Sequence, residues 1–200
     1  MQALAGSDPS PALRLTLASA SPRRRELLAR LGVMADVITA ADIDETPAKH
    51  ELPRAYARRI AREKALALSA DESHVLAGDT VVALGRRILP KAEDAQVARN
   101  CLELLSGRRH RVLSAIALKA PDGTLRERLS ETVVRFKSLS ASEVEAYLAS
   151  GEWEGKAGGY AIQGSAEGLI SWIAGSHSGV VGLPLFETRA LLRSAGFAIA

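Results

Sequence analysis

At 47% hydrophobic over 200 residues, the chain can bury one substantial core, and its single cysteine, Cys101, rules out an internal disulfide and suits a reducing compartment. A net charge of +3, from 26 basic and 23 acidic residues with 4% aromatics and no long basic run, permits an anionic substrate without arguing for nucleic acid. No stretch approaches the ~20 apolar residues of a membrane helix, and no signal-peptide core follows Met1–Pro11, so a soluble, cytoplasmic protein without membrane or nucleic-acid partners is expected.

Residues 1–12 read as a disordered tail and 13–200 as a single domain. Leu13-Arg-Leu-Thr-Leu17 alternates as a strand. Ser21 and Pro22 then open a helix with Leu27, Leu28 and Leu31 as its buried stripe and Gly32 as its stop. A short strand over Ala35–Thr39, an acidic loop over Ala41–Pro47 and a helix from about Arg54 to Ser69 follow. Val75–Leu84 reads as a strand broken by Gly78-Asp79, with a turn near Gly85-Arg86. Asp94–Leu105 is a helix stopped by Gly107, and Cys101 lies on its stripe with Val97, Leu104 and Leu105 as a packed thiol. Two long strands, His110–Lys119 and Leu125–Leu139, are joined by the hairpin signal Pro121-Asp-Gly123. Ser140 and Glu143 form a capping box that opens a helix to about Ser150. A glycine-rich loop, Gly155–Gly168, leads into a strand over Leu169–Ile173, and Pro184 opens the last helix with Leu185, Leu191 and Leu192 inward. The order predicts an α/β domain with the hairpin as a second lobe.

Several residues stand against these patterns. Ser19, Ser21, Arg23, Arg24 and Arg25 gather two hydroxyls and three guanidinium groups at one helix N-terminus, which is either a phosphate cradle or an ordinary capped helix with a solvated basic face. Lys64 falls on the stripe of Tyr56, Ile60 and Leu68, so it either snorkels to water or meets an anion. A methionine suits that stripe, so Lys64→Met is expected to keep or raise stability. Asp79 sits in an apolar strand, as a metal ligand, a general base or half of an ion pair. Asp42, Asp44 and Glu45 form a solvated loop or, with Asp79, oxygen ligands for Mg²⁺. Gln163, after Gly158-Gly159, carries an amide able to read a base edge. His110 and His177 lack zinc-ligand spacing, and neither a Gly-x-x-x-x-Gly-Lys-[Ser/Thr] loop nor a Gly-x-Ser-x-Gly elbow occurs. Together these residues suggest a phosphate site beside a base-reading site.

The same segments resemble the Maf family of nucleoside triphosphate pyrophosphatases, from Leu15 to about Phe197. The likeness is carried in order by Leu17–Leu28, Ile43-Asp-Glu45, Ala61-Arg-Glu-Lys-Ala65, Gly78-Asp-Thr-Val-Val82, Leu104–Gly107 with His110, Lys156–Gly164 and Val181-Gly-Leu-Pro184. Lys156–Gly164 resembles the branch acting on dTTP and UTP. The resemblance implies a Maf/ITPase-like fold: a long mixed sheet flanked by helices, in two lobes with the active cleft between them. It implies hydrolysis to the nucleoside monophosphate and pyrophosphate, a divalent metal (Mg²⁺ or Mn²⁺) and a homodimer. Carried over position by position, Asp79 is the proton acceptor and, with Glu45, a metal ligand. Ser19, Ser21, Arg23 and Arg24 cradle phosphates, Lys64 and Lys91 neutralise charge, and Arg23, Thr80 and Gln163 set specificity. Two departures stand out: Pro90-Lys-Ala92 replaces the common Gly-Lys-Pro, and Ala161 replaces a glycine, which would narrow the base pocket. The competing readings are a regulatory nucleotide-binding protein linked to septum formation and a pyrophosphatase preferring noncanonical purine triphosphates.

Overall fold

The computed structural model describes residues 13–69 and 72–199; the expected tail at residues 1–12 lies outside them. In chain order come β1 (Arg14–Ala18), α1 (Pro22–Ala29), β2 (Val37–Thr39), α2 (Pro53–Ala67), β3 (Ser73–Leu84), β4 (Arg87–Leu89), α3 (Ala95–Leu105), β5 (Arg109–Lys119), β6 (Leu125–Phe136), α4 (Ala141–Ala149), β7 (Ile170–Ala174), α5 (His177–Val181) and α6 (Leu185–Ser194). The strands form one mixed sheet in the order β2-β1-β3-β5-β6-β7, with β4 beside the second half of β3. β1 runs parallel to β2 and β3, and every other pairing is antiparallel.

Local chemistry accounts for most boundaries. Asp94 caps α3, its carboxylate accepting from the Val97 N–H at 2.8 Å. Ser140 and Glu143 complete the expected capping box of α4. Gly107, at φ +70°, turns the chain out of α3. β6 ends at Phe136, short of the expected Leu139, because the Lys137 carbonyl turns to accept from Gly107 N–H at 3.0 Å. Neither α5 nor a 3-10 turn over Ser165–Leu169 is signalled by hydrophobic period; both are too short to show one.

β3 is not broken at Gly78-Asp79. Its register with β5 runs unbroken from Val75↔Lys119 to Ala83↔Arg111. The interruption is on the other edge, where β1 leaves after Ala18↔Ala77 and β4 joins only at Val82↔Leu89. Between them Gly78–Val81 has no strand beside it, and the cavity opens there.

Strand alternation sends the residues around this gap to opposite faces. Val75, Ala77, Val81 and Ala83 pack under α2, with Tyr56, Ala57, Ile60, Ala61 and Ala65. Asp79 shares their parity and therefore faces α2. The other face carries two separate clusters. Leu15, Leu17, Leu76, Ile116 and Leu118 pack with Leu27 and Leu28 of α1 and Leu191 and Leu192 of α6. Val82, Val112, Val134 and Phe136 pack with Cys101, Leu102 and Leu105 of α3 and Val144, Tyr147 and Leu148 of α4. Burial pushes the Cys101 thiol pKa up, as expected of a packed rather than nucleophilic cysteine. Between the two clusters runs a polar seam: Thr80 Oγ1 and Ser114 Oγ are 3.2 Å apart, and Ser114 donates to the Gly179 carbonyl of α5. The β5–β6 hairpin, expected as a second lobe, instead lies inside the one sheet and contributes to all three clusters, and the seam between the two clusters of this face runs beneath the cavity.

Candidate active site

A cavity of about 300 Å³ occupies the gap beside Gly78–Val81. Its first wall is the β1–α1 junction. Ser19 Oγ accepts from the Ser21 N–H at 3.2 Å and from Arg24 Nη1 at 3.1 Å. Arg24 Nε donates to the Gly182 carbonyl at 2.9 Å, tying α1 to the end of α5. A Cβ on Gly78 would lie 3.3 Å from the Ala115 carbonyl oxygen of the neighbouring strand, a tight approach, and in ordinary contact with Arg24 Nε at 3.5 Å. Ser21 stands at the N-cap, yet its hydroxyl caps nothing and lines the cavity instead. Of the three arginines, Arg23 and Arg24 line the cavity, whereas Arg25 is exposed and outside it. Burial lowers the pKa of both lining arginines; at Arg23 its neighbour Arg24 adds to the effect, and at Arg24 the charges of Asp79 and Glu45 oppose it. This wall gathers positive charge at some desolvation cost, as a site for an anion does.

The second wall is a chain of alternating charges. Lys64 is 8% exposed, so it does not snorkel. Its ammonium lies 3.1 Å from Asp79 Oδ1 and 2.8 Å from Glu45 Oε1, and Lys91 Nζ lies 2.9 Å from Glu45 Oε2. The anion that meets Lys64 is thus the protein's own. Glu45 is brought in because α2 anchors its loop: Tyr56 Oη donates to the Glu45 carbonyl at 2.8 Å and Arg59 to the Thr46 carbonyl at 3.1 Å. Burial pushes the Glu45 carboxyl upward, but hydrogen bonds from Lys64 and Lys91 outweigh it and leave the pKa below the ordinary value. Burial, with Asp79 and Glu45 nearby, pushes the Tyr56 hydroxyl up to about 12, so it stays a donor. Asp42 and Asp44 are exposed, and Asp44 serves the local turn by accepting from Thr46 N–H at 2.8 Å. Among the described residues no group of three or more His, Cys, Asp and Glu side chains is placed to hold a metal.

The third wall is the glycine-rich loop, stitched to the segment that carries Lys91. Lys91 and Ala157 form an antiparallel bridge, Ala92 N–H donates to the Lys156 carbonyl at 3.0 Å, and Gly158 N–H donates to the Pro90 carbonyl at 2.9 Å. Gly158 has φ +69°, and a Cβ there would stand 2.8 Å from Val82 Cγ1. Pro90-Lys-Ala92 therefore holds Lys91 through backbone pairing. Lys156 and Tyr160 also line the cavity, and neither is singled out by the sequence reading. The available signal for Lys156 is a cation opening a glycine-rich stretch. Thr80 lines the cavity as expected. Gln163 is exposed and outside the lining, and Ala161 is buried against Tyr147 Oη, to which its N–H donates at 3.0 Å. Ala161 is absent from the cavity wall and does not narrow it.

Behind Tyr160 sits His110, 2% exposed, with Nε2 2.8 Å from the Tyr160 hydroxyl and its ring stacked on Phe136 at 5.8 Å. Burial lowers its pKa to about 4. The unfolded chain then binds a proton between roughly pH 6.5 and 4 that the folded chain refuses, so stability falls as pH falls through that window. Replacing His110 by phenylalanine is expected to flatten this fall by ~2 kcal/mol, read from urea midpoints at pH 7 and pH 4.5. An unchanged slope would mean that His110 is not the group protonated.

The sequence profile of the family described as Maf-like protein matches residues 14–195. The chain is 67% identical over 184 residues to the dTTP/UTP pyrophosphatase of Novosphingobium aromaticivorans, covering 91% of this chain and 92% of that protein. It is 63% identical over 185 residues to the dTTP/UTP pyrophosphatase of Rhodospirillum rubrum, covering 92% and 88% respectively. Among solved structures, the Ham1 protein of Staphylococcus aureus is 15% identical and covers 62% of this chain and 71% of its own at a TM-score of 0.42. The cavity at the bare edge of β3 is thus assembled from segments that lie inside the matched region, and the chain belongs to the Maf-like protein family.

Proposed function

We propose that the chain is a nucleoside triphosphate pyrophosphatase that hydrolyses dTTP and UTP to the monophosphate and pyrophosphate. The observation that carries the reading is the buried Lys64 between Asp79 and Glu45, opening onto a cavity lined by Ser19, Ser21, Arg23, Arg24 and Lys91. Relatives named dTTP/UTP pyrophosphatase at 67% and 63% identity support the substrate. In this reading a triphosphate lies along the cationic wall. Water adds across the α–β anhydride, its proton passes to an Asp79 carboxylate oxygen, and the leaving pyrophosphate takes the bridging oxygen. Arg23, Arg24, Lys91 and Lys156 face the charge that builds on that leaving group. Glu45 and Asp79 would hold a divalent cation in exchange for lysine contacts they now make, since Lys64 stands between the two carboxylates and Lys91 takes the second Glu45 oxygen; Mg²⁺ takes one or two carboxylates and completes its shell with water and phosphate oxygens. When bound, Mg²⁺ or Mn²⁺ would withdraw charge from the phosphates.

Pyrophosphate release from a panel of nucleotides, with each metal, tests the reading. UTP and dTTP are expected to exceed dATP and dGTP by at least about tenfold in kcat/KM, ~1.4 kcal/mol. Release of inorganic phosphate instead, or no release, would remove it. No helix among the described residues is long and apolar enough to cross a membrane. A cytoplasmic homodimer remains part of the proposal, to be checked by fractionation and light scattering.

For base choice we place the main weight on Thr80, whose Oγ1 lies in the lining, 3.2 Å from Ser114 Oγ. Gln163 would reach a base only after the glycine-rich loop moves. Thr80→Val is expected to change the UTP-to-dATP ratio of kcat/KM by about tenfold, the ~1–3 kcal/mol cost of a buried polar group left unmatched. Gln163→Leu is expected to change it less. A larger effect from Gln163→Leu would mean that the loop closes on the base.

A further inference from the structure

Past the cavity, toward the Gly85 turn, the sheet carries positive charge that the proposed reaction does not use. Arg109 of β5 is directly opposite Arg135 of β6, and Arg135 is directly opposite Trp172 of β7. The neighbours of these arginines in sequence, His110, Val134 and Phe136, are buried, whereas Arg109, Arg135 and Trp172 are exposed. The Arg109 guanidinium lies over the Trp172 ring, 5.0 Å from its centroid. Arg111 follows two residues along on the same face and is 3.1 Å from Glu131, which also pairs with Arg54 at 2.9 Å. Arg86, from the β3–β4 turn, joins Arg109, Arg111 and Val133 around a shallow hollow. Among the described residues, neither Arg86, Arg109 nor Arg135 has a carboxylate within ion-pair distance.

This arrangement costs stability. Like charges directly opposite in an antiparallel pair repel, and no acid answers either one. β7 is the edge strand, and Ser171 to Ala174 are all exposed, so no other element of the described chain covers the row. Three adjacent strands spread the row over about 10 Å at ~4.8 Å per strand. An open row of that width suits several phosphates in succession better than one nucleotide, which calls for a concave pocket. An exposed indole beside arginines is the pairing that holds an unstacked base and its phosphates. The near balance of 26 basic and 23 acidic residues over the whole chain conceals this local excess.

We propose that Arg86, Arg109, Arg111 and Arg135, with Trp172, bind single-stranded nucleic acid, phosphates on the arginines and a base on the indole. The probe is a fluorescein-labelled mixed-sequence 12-mer, as DNA and as RNA, titrated with the full chain and followed by anisotropy. Binding at 50 mM salt is expected, with log K falling against log salt at a slope of about −2 to −3, for three or four phosphates neutralised. Arg109→Glu with Arg135→Glu is expected to weaken binding more than tenfold, and Trp172→Ala by about 5- to 150-fold. Arg86 is exposed in the β3–β4 turn, outside any strand pairing, so Arg86→Glu keeps the test valid if the double variant fails to fold. All these variants are expected to keep the parent rate of pyrophosphate release. The proposal is overturned by no binding up to ~100 μM protein, by full affinity in Arg86→Glu and the double variant, or by competition with pyrophosphate, which would place the oligonucleotide in the cavity. Binding to anionic vesicles in place of the oligonucleotides would also overturn it.

Discussion

Asp79→Asn is expected to lose about 10²–10⁴-fold in turnover of UTP while melting close to the parent chain. The two side chains have the same shape, and asparagine keeps an oxygen where Asp79 Oδ1 now accepts from Lys64 at 3.1 Å. Lys64 also keeps Glu45 at 2.8 Å, so its charge is not stranded. What the variant lacks is a group that takes a proton from water and a full charge to share with a metal. Asp79 is 5% exposed and lies in the middle of a strand paired through Asp79↔Ala115, so its position is fixed by the sheet rather than by the ligand. Pyrophosphate release and a thermal melt on the same preparation separate the two properties. Turnover within tenfold of the parent in a folded Asp79→Asn would take the proton-acceptor role away from this residue.

Much of this site is legible in the sequence because it breaks local rules. A lysine on an apolar helical stripe and an aspartate inside an apolar strand are each conspicuous within a few residues of chain, and the fold brings those two together. Val75 to Ala83 is apolar at both parities, so the face on which Asp79 lies is set by the fold, which packs Val75, Ala77, Val81 and Ala83 under α2. What is not legible depends on contacts far apart in sequence. Gly78-Asp79 looks like a break in a strand, but β5 carries the chain straight through it, and the break is the absence of β1 and β4 on the opposite edge. Local chemistry alone does not separate Glu45 from Asp42 and Asp44; the family resemblance singles it out, and Tyr56 and Arg59 of α2 are what fasten its loop at the cavity. Lys156 enters only because residues 90–92 and 155–158 pair with each other. α5 has five residues and no amphipathic period, yet its carbonyls at Gly179 and its cap at Gly182 receive Ser114 and Arg24 and so close the cleft floor. Local chemistry therefore points to the reacting groups, and tertiary pairing decides which charged neighbours they meet.

Lys64 shows how far that second step can reverse an expectation. As a residue on a stripe with Tyr56 and Ile60, it should tolerate methionine. In the fold it holds together two carboxylates, one of them buried, at 2.8 and 3.1 Å. Removing it leaves Asp79 charged beneath α2 with no ammonium to answer it. Arg24 does not replace Lys64, because its Nε and Nη1 are committed to the Gly182 carbonyl and Ser19 Oγ. Breaking a buried pair from one side costs ~3–5 kcal/mol, far more than the packing of a methionine returns. Glu45 is one-third exposed and keeps Lys91 at 2.9 Å, so the loss is concentrated on Asp79. For a domain of this size, ~2–4 °C per kcal/mol predicts a fall in melting temperature of roughly 10 °C for Lys64→Met. Adding Asp79→Asn to Lys64→Met removes the stranded charge and is expected to restore most of that fall, a coupling that a double-mutant cycle measures directly. Equal melting temperatures for Lys64→Met and the parent chain would show that the buried ammonium is dispensable to the fold, and would return Lys64 to the status of an apolar position that happens to carry a charge.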